Sequence, residues 1–160
     1  MDRKAILLKL RQEGKLKGLK PCFVSLRQSK GGIYNGASGT FIMSIRDNFL
    51  YFQKLSPFLH RLQPREDFKI NYLRFKEYYI EKKTVYKILN LYSEGGSYLD
   101  ILYQFGTRDT FASEDNLARI LKILNENNVK EIFDNEFKEE ETKEDDDVEE
   151  NVWKRKTRIN

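Results

Sequence analysis

One histidine, His60, and one cysteine, Cys22, are the only side chains of those two types in 160 residues. A Ser-His-Asp unit would have to be built around His60. That residue lies beside Arg61 between Pro57 and Pro64, the setting of a surface-loop histidine. A nucleophilic Cys22 would need a neighbouring base; followed by Phe23 and Val24, it reads as a small core residue. One Cys and one His do not assemble a zinc ligand set. Asp145-Asp146-Asp147 could hold calcium loosely, but the run lacks the glycine and closing glutamate of an EF-hand loop. The segment "SKGGIYNGASG" holds four glycines in eleven residues. Its lysine precedes the glycines, so it reads as a strand connection rather than a phosphate cradle. No catalytic residue, metal or cofactor is expected, and the chain reads as a non-enzyme.

The remaining chemistry is charge. Residues 1–30 carry nine Lys/Arg against two Asp/Glu, a net +7. Residues 131–151 carry two against twelve, a net −10, and the last nine residues return +4. The overall +4 and pI of about 9.0 therefore describe no actual surface. Lys9, Arg11, Lys15, Lys17, Lys20, Arg27 and Lys30 form the candidate patch, with Arg46 beside it on the first hairpin. It could meet an acidic partner protein, an anionic membrane surface or, without sequence preference, nucleic acid. Equally, its lysines could be the solvated face of a packed helix.

The elements that would position this patch follow from periodicity. Ile6, Leu7 and Leu10 share one face of a helix over 2–12, ended near Gly14. A strand opens near Cys22. "TFIMSIRDNFLYFQK" reads as a hairpin turning at Asp47-Asn48, with Ile45 opposite Leu50, Met43 opposite Phe52 and Ser44 opposite Tyr51. Phe68, Ile70, Tyr72 and Arg74 alternate onto one face, and a long strand follows from about Tyr79 to Tyr92. In "LNLYSEGGSYLDILYQF" a two-residue Gly95-Gly96 turn would set Leu91 against Asp100. An odd loop, Glu94 to Gly96, instead pairs Leu91 with Leu99, Leu89 with Ile101 and Tyr92 with Tyr98. The hydrophobic match selects the odd loop, with Gly96 as its left-handed residue. Leu89, Leu91, Leu99, Ile101, Tyr103 and Phe105 form the core face, the other face is half-solvated, and an exposed aromatic patch could form from "KEYYIEKK" and the Tyr92/Tyr98 pair. Ser113 is the expected N-cap of a final helix whose stripe is Leu117, Ile120, Leu121 and Leu124, ended by "NENN". The acidic stretch beyond Phe137 is expected to be disordered.

Antiparallel strands in hairpins followed by one amphipathic helix resemble the pleckstrin-homology-like (PH-like) barrel. From Ser38 to Asn125 the chain resembles bacterial PH-like domains, with "GTFIMSIRDNFLYF" as their opening hairpin. "YLDILYQF" and "SEDNLARILKIL" resemble their last strand and capping helix. The resemblance implies a mainly β, α+β fold: an antiparallel barrel of six to seven strands over 21–130, capped by the C-terminal helix. An extra basic helix over 1–20 precedes it, and an acidic tail with a basic end over 131–160 follows. It also implies a binding module for lipid, peptide or protein. Lys30 and Arg46 match the ends of the inositide-binding pattern, but Ser44 holds its middle basic position, so the resemblance does not carry specific inositide binding. No apolar run approaches the roughly 20 residues of a membrane span, no signal-peptide pattern opens the chain, and the lone cysteine suits a reducing compartment. A cytoplasmic protein is expected.

Overall fold

The computed structural model describes residues 2–26, 39–57, 61–95, 98–104 and 110–132. Helix α1 (Arg3–Gln12) starts at Asp2, whose carboxylate accepts from the Ala5 amide at 2.8 Å. It stops where Gly14 takes φ +69°. Its stripe of Ile6, Leu7 and Leu10 is buried against Phe23, Ile42 and Leu55. The basic helix is thus packed on the sheet and presents only its other faces.

Strands β1 (Leu19–Leu26), β2 (Gly39–Arg46), β3 (Phe49–Lys54) and β4 (Phe68–Asn71) form one half of the sheet; β5 (Phe75–Lys82), β6 (Tyr86–Ser93) and β7 (Tyr98–Gln104) form the other. Helix α2 (Thr110–Glu126) follows, then a two-residue strand β8 (Lys130–Glu131). The order is β4-β3-β2-β1-β7-β6-β5-β8, antiparallel except where β8 joins β5. β1 is central, paired with both β2 and β7. It begins at Leu19, inside the stretch read as a basic extension and before the segment that carried the resemblance.

The two hairpin registers are those the hydrophobic pattern demands. Ile45 pairs with Leu50, Met43 with Phe52 and Ser44 with Tyr51 around a turn where Asp47 has φ +55°. Leu91 pairs with Leu99 and Leu89 with Ile101. Gly96 and Phe105 lie outside the described residues.

Several expectations are corrected. Among the described residues the fold is mainly β with two α-helices, and the sheet has eight strands rather than six or seven and is open, with β4 and β8 at its ends. β4 is only four residues long because Asn71 accepts from the Leu73 amide at 2.9 Å and turns Tyr72–Arg74 into a 3₁₀ segment. Arg74 is therefore not on the strand. The long strand from Tyr79 to Tyr92 is a hairpin, with Lys82 opposite Lys87 and the Lys83 amide donating to the Tyr86 carbonyl. The second face of β6–β7 is not solvated: Ile88, Asn90, Tyr92 and Asp100 are buried. Tyr92 and Tyr98 do pair, with ring centroids 6.1 Å apart, but with Tyr92 buried they form no exposed patch. Tyr78 is likewise buried, its hydroxyl donating to Asn125 Oδ1 at 3.0 Å.

Helix α2 begins at Thr110, so Ser113 lies within it, buried, and is not its cap. Leu117, Ile120 and Leu124 face the core with Ile123, while Leu121 packs at the edge, partly buried. Leu121→Ala should therefore cost only about 1–2 kcal/mol, half or so of a full leucine burial. A urea denaturation curve checks this; a loss above 3 kcal/mol, the order of a core truncation, would place Leu121 in the core proper. The helix ends as read, with Asn128 at φ +62° and the Val129 amide returning to the Leu124 carbonyl.

Candidate functional site

Three elements meet beside α1. At the start of β1 the register slips between Leu19 and Cys22, and Lys20 takes φ +55°. A non-glycine residue there carries strain of about 1–3 kcal/mol, and bulges of this kind re-aim side chains. The result is that Leu19 stands 72 % exposed while the Lys20 carbonyl turns towards α2. There the buried Asn116 side chain donates to it at 2.6 Å and to the Met43 carbonyl at 3.4 Å. Asn116 Oδ1 in turn accepts from the Tyr103 hydroxyl at 2.8 Å. Burial, and secondarily repulsion from the negative charge of an ionised Cys22, holds the Tyr103 hydroxyl neutral well above the ordinary tyrosine range. This buried polar junction fixes the distance between the bulge and the first turns of α2. Lys20 Nζ adds an exposed ion pair with Asp115 at 3.1 Å.

The junction leaves a hollow of about 490 Å³, walled by Lys4, Leu7, Leu8 and Arg11 of α1, by Lys20 and Pro21, and by Phe111, Ala112 and Asp115 of α2. A second hollow of about 550 Å³ adjoins it, sharing Arg11, Lys20 and Pro21 and continuing along Gly14, Leu16, Gly18 and Leu19. Leu8 is 54 % and Phe111 79 % exposed. Large apolar side chains thus stand beside three cations, Lys4, Arg11 and Lys20, with the one lining carboxylate, Asp115, paired to Lys20.

The basic residues picked from the sequence divide. Arg11 and Lys20 line both hollows. Lys9 is exposed on α1. Lys15 pairs with Glu13 at 3.3 Å. Lys17 is tied to the nearly buried Asp67 at 3.2 Å and holds a loop in place. Arg46 lies 4.0 Å from Asp47 at the β2–β3 turn and does not line the hollows. Arg27 and Lys30 lie outside the described residues, as does His60. Lys4, Leu8 and Phe111 were missed. Leu8 had a readable signal, since it is an apolar residue off the buried stripe of its own helix. Phe111 had none before the position of α2 was known.

Cys22 is fully buried in the core. Among the described residues no three His, Cys, Asp or Glu side chains gather as a metal site, and no helix is long and apolar enough to cross a membrane. No protein-family model and no curated protein matches the sequence. Among solved structures the chain is similar to the hSac2 domain from human phosphoinositide phosphatase Sac2, at 11 % identity and a TM-score of 0.44, over 83 % of this chain and 90 % of that one. At that distance the likeness carries no argument about fold or function.

Proposed function

We propose that this chain is a non-enzymatic, PH-like binding module, working in the cytoplasm through the groove between α1, the β1 bulge and the start of α2. The PH-like reading is supported by the strand order: a seven-strand meander whose first strand pairs with its seventh and which opens between β4 and β5. The following helix packs its apolar stripe on the core. The binding reading rests on one observation, the exposure of Leu8, Leu19 and Phe111 among Lys4, Arg11 and Lys20. Leaving that much apolar surface in water is unfavourable, and clustered patches of this kind mark interaction sites.

A titration followed by amide chemical shifts tests the reading, using three probes: an acidic amphipathic peptide, vesicles containing phosphatidylserine, and oligothymidylate. At least one should move resonances of Lys4, Leu8, Arg11, Lys20 and Phe111 together. If none perturbs these residues, the groove is not the site.

A second reading, binding to anionic surfaces or nucleic acid through charge alone, is favoured by the net +7 of residues 1–30. It predicts binding that Leu8→Glu does not weaken beyond the added charge. The acidic stretch from Glu131 to Glu150 bears on both readings, because twelve carboxylates in the same chain compete with any anion for the basic end. Removing residues 134–160 should tighten binding to anionic vesicles at low salt. The gain should fade as salt shortens the screening length to about 8–10 Å. Superimposable salt series for the two proteins would leave the tail without a masking role.

A further inference from the structure

We infer that the occupant of the groove is an acidic amphipathic helix presented by a partner protein, an inference that rests on the binding reading above. The hollow, about 490 Å³, falls in the roughly 300–1,000 Å³ range of concave ligand-sized sites. Its walls include α1 on one side and the start of α2 on the other, the kind of cleft into which a third helix lays an apolar face. On α1, Lys4, Leu8 and Arg11 follow one another at i, i+4 and i+7, one stripe of a helix surface. Lys4 and Arg11 are thus about 10 Å apart along the axis, with Leu8 between them. A helix carrying an apolar residue flanked by carboxylates at the same spacing answers this stripe residue for residue. Across the hollow, Phe111 offers apolar contact to the same helix.

The other occupants fit less well. A second copy of the chain would bring its own cationic α1 against this one, like charge against like. A flat bilayer is met by one protruding apolar face, whereas the exposed Leu8 and Phe111 stand on the two walls of a hollow, α1 and α2. Single-stranded nucleic acid would need a row of stacking aromatic rings, and among the described residues Phe111 is the only aromatic side chain lining either hollow.

The test uses the full chain and a fluorescein-labelled synthetic helix with Leu at i, i+3, i+4 and i+7 and Glu elsewhere, beside a scrambled peptide of the same composition. Fluorescence anisotropy should show the patterned peptide bound at least about tenfold more tightly than the scrambled one. Leu8→Glu should erase that preference, and Arg11→Glu should weaken both peptides. Both substituted side chains are exposed, and a circular dichroism spectrum confirms that the variants fold. Equal affinity for the two peptides would overturn the inference while leaving a charge-driven binding module. Binding of vesicles but of neither peptide, with the groove resonances moving, would overturn it in favour of a lipid surface. Concentration-dependent self-association abolished by Leu8→Glu would overturn it in favour of a second copy. Displacement of the patterned helix by a peptide of residues 133–153 from a chain lacking residues 134–160, with the full-length protein failing to bind that helix, would assign the groove to the chain's own tail. Silence of the groove towards every probe would remove the binding reading itself.

Discussion

Asn116→Ala should destabilise the protein by roughly 2–5 kcal/mol, although it removes only a small amide. The side chain is fully buried and serves three partners: the Tyr103 hydroxyl, the Lys20 carbonyl and the Met43 carbonyl. Removing it strands polar groups where water does not replace it, and each such loss costs about 1–3 kcal/mol. Urea midpoints with unchanged slope would report the loss as one of stability alone. Because the Lys20 carbonyl is what Asn116 holds, the bulge should loosen as well, raising amide exchange at Leu19 to Cys22 more than at β3. A variant as stable as the parent would show that the junction carries no weight.

The same junction sets an alkaline limit. The Tyr103 hydroxyl is held neutral in the folded chain, so its folded pKa is raised above the value of about 10 it has when unfolded. Below pH 10 both states are protonated and the contribution is complete. As pH rises past 10 the unfolded chain loses the proton first, binds fewer protons than the folded one, and stability falls. Tyr78, raised by burial and then by the neighbouring Glu131 charge, acts in the same direction. Stability should therefore decline from about pH 10 upwards, and Tyr103→Phe should flatten part of that slope while lowering the plateau through loss of its bond to Asn116.

What the sequence disclosed depended on how local the physics was. The β6–β7 register was legible because an even loop would have put Asp100 against Leu91, and a slip by one residue exchanges whole faces. The β5–β6 turn was not, since Lys83, Thr84 and Val85 contain no glycine, proline or asparagine to mark it. Nor could the pattern tell which polar residues face water. Asn90 and Asp100 sit opposite each other in register on a face that is buried. Half of the candidate site was visible as a run of Lys and Arg, but charge alone did not separate Arg11 and Lys20, which line the groove, from Lys17, which is spent on Asp67. The apolar half brings residues 4–11 next to 111–115, an approach fixed by long-range contacts: the bonds of Asn116, the packing of α2 on the core and Ala112 against the α1 cluster.

Gly18→Ala is the sharpest test of how the groove is held open at its other end. Glycine-to-alanine changes ordinarily stabilise by about 0.4–1 kcal/mol by narrowing the unfolded ensemble, and Gly18 has no positive φ to forbid a side chain. The obstacle is space. A β-carbon there would come within 2.8–2.9 Å of the Ile45 nitrogen, oxygen and carbonyl carbon. Those are backbone atoms in β2, whose Ile45 is paired with both Leu19 and Leu50, so they cannot turn aside as a side chain could. The 15–18 segment must lift instead. Lifting it breaks the clasp by which Gln53 accepts from the Lys17 amide at 3.1 Å and donates to the Lys15 carbonyl at 2.9 Å. Overpacking of this kind costs about 1–3 kcal/mol, and the lost clasp brings the expectation to a net loss of roughly 2–3 kcal/mol. In a chain of this size that is a fall of about 4–12 °C in Tm. Gly39→Ala is the control, because the atom it would meet is the Lys54 ammonium at the end of a flexible chain. It should move Tm far less. Since Gly18, Leu19 and Lys20 line the second hollow, Gly18→Ala should also weaken any ligand that spans both hollows while sparing one confined to Leu8 and Phe111. Equal Tm values for the two glycine variants would mean that β2 yields to the new methyl group, and the close seating of this segment would then have no part in shaping the site.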